Sequence, residues 1–380
     1  MKLPLATIVL CTLGCCLSAQ DKPKADPSAE VFKPGKVPVV KIAIAEPALK
    51  EFLKDQRKYQ KFQVEIDGVK LTDVGIHVKG AAGSSRDWND KPALTLNVDK
   101  FKKHQEWKGL DKFHLNNSVQ DGSYMNEILC SGLAASMGLP TARAAHAIVE
   151  LNGRKVGLYV LKEGYNGNFI DRQFPKETGG NLYDGGFLQD IDANLKLDHG
   201  PGDERKGLKA IVKACGEKDV NARYAAIEKL VNIDLFVKDA ALQLLAGDWD
   251  GYCRNRNNYR VYLPPNGGKA VFIPHGMDQM FQRADEPVWQ GAGGMVWRVV
   301  SEHPEGKKKA IAAVKDFHDK FFKLDDVTKT VDSWIKPTTE SLKAYGDKNT
   351  AAWVEGEAKN FKERLKQRSE YLKKELPKLK

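Results

Sequence analysis

The stretch from Asp248 to Phe281 constrains this chain more than any other part of it. It reads D-W-D-G-Y-C-R-N-R-N-N-Y-R-V-Y, then Pro264, Pro265, Asn266, Gly267 and Gly268, then Lys269 and A-V-F-I-P, then H-G-M-D-Q-M-F. Tyr259 to Tyr262 and Ala270 to Ile273 are rich in β-formers, and the turn residues between them close a hairpin. Asn258 stands at the mouth of the first strand, and Asp278 lies just past the end of the second. A fold that contains this hairpin can gather Asp250, Asn258 and Asp278 at one end of it.

That order of oxygen-bearing side chains has a chemical use. Phosphoryl transfer needs a carboxylate beside the attacking hydroxyl, and oxygen ligands for the magnesium that bridges the nucleotide phosphates. Protein kinases supply a loop Asp, an Asn a few residues on, and a second Asp after a hairpin. The same order stands here with wider spacings. A hairpin with an Asx turn and two solvated carboxylates would carry the same letters, so spacing alone leaves both readings open.

The 380 residues suffice for one large domain or two ordinary ones, and 42% hydrophobic with 29% charged residues describes a globular chain. The net charge of +10 could attract nucleic acid, anionic polymer or acidic protein, but with Lys spread widely it reads as a solvated surface. No zinc-finger, aromatic RNA-binding or basic-zipper pattern accompanies it, so nucleic acid is not an expected partner. Residues 1–19 read as an export signal: Lys2, the mostly apolar Leu3 to Leu17, then Ser18-Ala19 before the polar Asp21-Lys22-Pro23-Lys24. That run is too short to span a bilayer, and no transmembrane segment is expected once it is removed. Cys15 after Leu13-Gly14 leaves a lipid-modified form open. The expected location is secreted, periplasmic or cell-envelope. Residues 20–40 read as a flexible linker. Cys11, Cys15 and Cys16 lie in the signal; Cys130, Cys215 and Cys253 have no metal-ligand spacing, and Cys253 reads as a small buried residue.

From Val39 the pattern is strand, helix, hairpin. Val74 to Val98 gives two alternating strands around the small-residue loop Gly80 to Asp90, with Lys79 and Lys91 at its ends and Ser84 and Ser85 within it. Such a loop can turn backbone N–H groups and hydroxyls towards an anion. Tyr124 to Met137 has helical spacing after the cap candidates Asp121 and Ser123, and Gly138 stops it. Ala144 to Leu151 and Lys155 to Leu161 form a hairpin around Asn152-Gly153, with Glu163 just beyond it. Gly179 to Gly186 reads as a turn-rich connection. Val231 to Leu245 is the most apolar helix and leads straight into Asp248 and Asp250. Residues 305–380 are helical in period, with Trp334, Trp353, Phe361, Leu365 and Leu372 as candidate core contacts.

Taken in order, these pieces resemble the CotH kinase family of atypical secreted or spore-coat protein kinases. G-I-H-V-K-G-A-A-G-S-S with K-P-A-L-T-L-N-V is similar to its opening strand, loop and Lys-containing strand. L-N-N-S-V-Q-D-G-S-Y-M-N-E-I-L and M-G-L-P-T-A-R-A-A-H resemble its central helix and exit. V-E-L-N-G-R-K-V-G-L-Y-V-L-K-E resembles its N-G hairpin, and D-W-D-G-Y, N-N-Y-R-V-Y and F-I-P-H-G-M-D-Q-M-F its catalytic and metal segments. The resemblance covers about residues 70 to 282.

It implies an α+β, atypical protein-kinase-like fold with antiparallel sheet elements and a helical C-terminal part. The expected division is a kinase-like domain over 41–300 and a helical extension over 301–380. The implied activity is transfer of the ATP γ-phosphoryl group to Ser or Thr of a secreted or envelope protein, with Mg²⁺. By position Asp250 would be catalytic, Asn258 and Asp278 would hold metal, Lys79 or Lys91 with Ser84 and Ser85 would meet phosphate, and Glu163 would position a Lys. The family usually has W-D-x-D where this chain has His275-Gly276-Met277-Asp278. One acidic group is therefore missing, which keeps a catalytically impaired, surface-binding protein as the alternative. A glycosidase-like carboxylate pair is a third reading, disfavoured by the aromatic-poor, Lys-rich loop.

Overall fold

The computed structural model describes residues 26–81, 83–289 and 293–380. The proposed signal lies outside the described residues. Its N-terminal half is a closed barrel of seven strands: β1 Val39–Ala43, β2 Gln60–Ile66, β3 Val69–Lys79, β4 Ala93–Asn97, β5 Lys112–Asn116, β6 Ala144–Leu151 and β7 Arg154–Glu163. The order around it is β1-β2-β3-β4-β5-β7-β6. Neighbours are antiparallel except where β6 meets β1 in parallel, Val39 opposite Ile148 and Ile42 opposite Leu151. Helix α1, Glu46–Lys54, follows the first strand.

Tight turns set the hairpins. Asp67-Gly68 and Asn152-Gly153 both have two successive positive φ angles, which suit the right-handed twist of the strands they join. The barrel interior is filled by Val40, Ile42, Phe62, Val64, Ile76, Leu94, Leu96, Phe113, Leu115 and Leu161, all essentially inaccessible.

Residues 26–40, expected as part of a tether, are packed instead. A 3-10 turn spans Ala29–Phe32. Arg143 reaches Asp26 at 2.6 Å and Ser28 at 2.7 Å, with its guanidinium 4.4 Å from the Phe32 ring. The composition looked linker-like because these partners lie more than a hundred residues away.

Helix α2, Asn126–Ser136, runs between β5 and β6. Asp121 accepts from Asn126 N (2.9 Å) and Ser123 N (3.0 Å), which turns the chain into the helix. Beyond the barrel lie α3 Gly167–Gln173, β8 Asn181–Asp184, β9 Lys196–His199, α4 Lys206–Cys215, α5 Val220–Leu230, α6 Ile233–Ala246, α7 Tyr252–Asn255, β10 Tyr259–Leu263 and β11 Val271–Pro274. The last two are the hairpin expected from sequence, and they join a four-stranded sheet of order β11-β10-β8-β9. The Gly179–Gly186 stretch, expected as turn-rich connection, thus contributes a central strand, with Val261 opposite Tyr183. Its flanking glycines hid four strand-forming positions.

Asn232 caps α6, accepting from Leu235 N at 3.1 Å, and Gly247 ends it in the left-handed conformation. Four helices complete the fold: α8 Met295–Glu302, α9 Pro304–Lys320, α10 Leu324–Tyr345 and α11 Lys348–Glu375. Their inner faces, with Trp334, Phe361, Leu365 and Leu372, share one core with α2 and α6. Trp353 does not join them: it is 60% exposed. The α+β class and the helical C-terminal part are as the sequence indicated. Among the described residues, no helix is long and apolar enough to cross a membrane.

Candidate functional site

Asp250, Asn258 and Asp278 line one cavity of about 330 Å³, together with Lys79, Ser84, Asn116, Asn117, Gln120, Asp184, Phe187 and His275. It lies where the rim of the barrel meets the end of the β10–β11 hairpin. Lys79 ends β3 and Asn116 ends β5, so two barrel strands deliver their last side chains to the same edge.

Asp250 is placed by the end of α6. Its N–H donates to Asp248 Oδ1 at 3.2 Å. Its own Oδ2 accepts from the amides of Asn257 at 3.1 Å and Asn258 at 3.0 Å. Burial raises its pKa, and the two amides hold it back. Asp248 sits behind it, buried and pushed up to about 8 by burial and by the Asp250 charge.

Asp278 follows β11 in a short turn. Apart from its own backbone amide, no described group donates a hydrogen bond to its carboxylate. Burial, then the charges of Glu127 and Asp121, pushes its pKa up to about 6. A carboxylate in that state is stabilised by a cation. Gly276 lets the turn form: its φ is +59°, and a Cβ there would meet Asn258 Oδ1 at 2.5 Å. The amide of Asn258 thus lies against the place where an acidic side chain of the W-D-x-D pattern would begin.

Lys79 Nζ donates to Asn116 Oδ1 at 2.6 Å. Burial, reinforced by the Lys162 charge, brings its pKa down to about 8. Ser84 belongs to the cavity too, its Oγ accepting from Ala81 N at 3.3 Å and its carbonyl from Asn117 at 3.0 Å.

The structure does not bring the other three expected residues into the cavity. Lys91 turns away to the Tyr124 hydroxyl at 2.6 Å and the faces of Tyr124 and Tyr159. Ser85 accepts from Arg57 at 3.1 Å on the outer side of the loop. Glu163 pairs with Arg143 (2.8 Å) and Arg172, not with any Lys. Successive residues on a strand face opposite ways, so it is Lys162 that points inward.

Lys162 is fully buried against Glu127 of α2, a pair sequence reasoning missed. Lys162 also lies 3.2 Å from His275 Nδ1. The second oxygen of Glu127 accepts from Met277 N at 3.0 Å, and neighbouring Asn126 donates to Asp278 O at 3.0 Å. The first turn of α2 therefore holds the 275–278 turn from behind. Burial lowers the Lys162 pKa, but Glu127 and Tyr165 together outweigh it and the net shift is upward. Burial and the charges of Arg260 and Lys162 keep the His275 pKa well below its usual value. Charged residues set in the mostly apolar L-Y-V-L-K-E and M-N-E-I-L runs were the available signal.

Among the described residues, no cluster of three or more His, Cys, Asp or Glu could hold a metal. Asp278 and the Asn258 amide oxygen are hard donors nonetheless. A divalent cation that keeps waters and shares phosphate oxygens needs only one or two carboxylates from protein. The donor set fits magnesium carried in with a nucleotide.

Comparison with known proteins gives a family match over most of the chain. The family model described as CotH kinase protein matches residues 76–375, which includes the C-terminal helices. Invasin CotH3 of Rhizopus delemar is 26% identical over 188 residues, 44% of this chain and 31% of that protein. Spore coat protein homolog 1 of the same organism is 23% identical over 213 residues, 52% of this chain and 34% of that protein. The alignments thus span about a third of the length of these curated relatives. Among solved structures, the Helicobacter pylori proinflammatory kinase CtkA aligns at TM-score 0.37 and 9% identity, over 80% of this chain and 97% of that one. HipA of Shewanella oneidensis MR-1, in complex with HipB and operator DNA, aligns at 0.36 and 12%, over 89% and 74%. Neither score is high enough to superpose a site. The family match covers most of the chain, and on that ground this protein belongs to the CotH kinase family.

Proposed function

We propose that this protein is an exported kinase that transfers the γ-phosphoryl group of ATP to a Ser or Thr hydroxyl of a secreted or envelope protein. The observation that carries the reading is the convergence of Asp250, Asn258, Asp278 and Lys79 on one cavity. Asp250 accepts the proton of the attacking hydroxyl as the new O–P bond forms and the bond to the ADP oxygen breaks. The amides of Asn257 and Asn258 aim its carboxylate and keep its pKa from rising further. Lys79, held by Asn116, meets phosphate oxygens, and Ser84 closes the same side. Magnesium, held by Asp278 and Asn258, would supply neutralisation of the charge that develops on the phosphate oxygens.

The test is transfer of radiolabelled γ-phosphate to a casein-type acceptor or to the protein itself, in wild type and Asp278→Ala. Transfer in wild type that is lost in the variant supports the reading; equal signal in both rejects it. A second reading, a binding protein without transfer, is favoured by Gly276, whose position leaves no room for a side chain beside Asn258. Stabilisation by magnesium nucleotide in a thermal shift, without any transfer, would select that reading.

A further inference from the structure

Arg368 on α11 is the largest fully buried cationic side chain among the described residues. The charges of Glu286 and Asp285 act on it, after that of Tyr371. Its donors go to four backbone carbonyls: Nε to Leu245 O at 2.7 Å, Nη2 to Leu244 O at 3.0 Å, Nη1 to Ala284 O at 3.1 Å, and Nη1 also to Glu286 O. The Tyr371 ring lies 5.2 Å from the guanidinium.

These carbonyls belong to two segments. Leu244 and Leu245 are in the last turn of α6, directly before Gly247 and the loop that presents Asp250. Ala284 and Glu286 lie just past the turn that presents Asp278. The two segments run side by side, since Phe281 N donates to Ala246 O at 2.7 Å. Arg254, in the short helix α7 after Asp250, adds a further tie to Glu286 Oε1 at 2.7 Å.

The physics explains why this position holds an arginine. Carbonyls in the last turn of a helix lack intrahelical donors and carry the negative end of the helix dipole. A guanidinium spreads its N–H groups over a planar fork and can reach acceptors on both segments at once. An ammonium offers three donors from a single point and cannot span them. Burial lowers the Arg368 pKa to about 10, so the side chain stays charged at neutral pH. A charge held out of water is costly, and here the cost falls where two site-bearing segments must keep a fixed distance.

We propose that Arg368 is a positioning residue of the phosphoryl-transfer site, setting the placement of Asp250 relative to Asp278 from the C-terminal helix. The inference rests on the reading of the cavity given above. It makes α11 part of the site, although no α11 side chain lines the cavity.

The experiment measures Mn²⁺ binding by the loss of free-ion electron paramagnetic resonance signal, and amide hydrogen exchange by mass spectrometry, on the full chain. The variants are Arg368→Lys, Asp278→Asn, and Leu342→Ala, a core substitution in α10 that lowers stability without touching these segments. Each is measured well below its own melting temperature. The expected result for Arg368→Lys is Mn²⁺ affinity weakened about tenfold, with faster exchange confined to 244–250 and 281–287. Leu342→Ala should stay within about twofold of wild type. Tyr371→Leu, which removes the ring but no hydrogen bond, should give a smaller shift in the same direction and serves if Arg368→Lys does not fold. Unchanged affinity in the Arg368 and Tyr371 variants, or equal losses in Leu342→Ala, overturns the inference while the cavity reading stands. A wild type that binds no more Mn²⁺ than Asp278→Asn overturns the cavity reading, and the inference falls with it.

Discussion

Asp278 and Lys79 face the same cavity with pKa values moved towards neutrality from opposite sides, about 6 and about 8. Under the proposed function, Asp278 must be ionised to hold a cation, and Lys79 must be charged to meet phosphate. Phosphoryl transfer should therefore rise with pH through about 6 and fall through about 8, read from initial rates in mixed buffers at constant ionic strength. Glu127→Gln removes a negative neighbour of Asp278, so the acid limb should move to lower pH. A limb that stays in place would remove Glu127 from this role. Asp250→Asn should lower the transfer rate by roughly 10²–10⁴ with little change in Mn²⁺ affinity, because it removes the proton acceptor and leaves Asp278 and Asn258 intact. Much of this was legible in the sequence. Asp250, Asn258 and Asp278 converge because the turn residues 264–268 force a hairpin, and a hairpin brings its two outer ends together. Lys79 rather than Lys91 was not legible, since both flank the same loop and their partners, Asn116 for one and Tyr124 for the other, lie at least 33 residues away.

At the scale of elements, the contact between α2 and the 275–278 turn organises the site. The Lys162–Glu127 pair is out of water, so breaking it leaves one charge uncompensated. Glu127→Gln alone should cost roughly 3–5 kcal/mol in urea unfolding, whereas the double change Glu127→Leu with Lys162→Met should recover much of that. Equal losses for the single and double variants would show that shape rather than charge matters there. Gly276→Ala should weaken Mn²⁺ binding and lower stability by about 1–3 kcal/mol, since the new Cβ displaces the Asn258 amide and the backbone there has positive φ. The pair was hard to find from sequence for a physical reason. β7 is buried on both faces from Gly157 to Glu163, so no alternation of polar and apolar residues tells which of Lys162 and Glu163 points inward. The strand that begins at Asn181 was missed because glycines on both sides of four residues read as a turn.

For the whole molecule, acids without counter-ions in the interior set the response to pH. Asp239 and Asp248 are buried, and their pKa values stand at about 7 and about 8, against 3.8 for the unperturbed group. At these two positions the folded chain holds more protons than the unfolded chain up to about pH 8, while His77, His114, His146 and His275, their pKa values lowered first by burial, work in the opposite direction below 6.5. Stability should fall as pH rises from about 6.5 to about 8, where the acids act without that opposition, and Asp248→Asn should flatten the slope in urea titrations. A slope of opposite sign would show that these carboxyls ionise freely in the folded state. Neither acid could be assigned this behaviour from sequence, because D-L-F-V-K-D and D-W-D do not reveal that α6 is enclosed on nearly every side.

Pairing of β1 with β6 has a consequence for how the chain is made. Residues 39–43 can find only one of their two strand partners until residue 151 has been synthesised. During that interval the growing polypeptide displays an apolar seam with unpaired amides, open to other nascent chains. Helpers that shield such seams should matter most before residue 151 emerges, and conditions that slow elongation there should raise the yield lost to clumping.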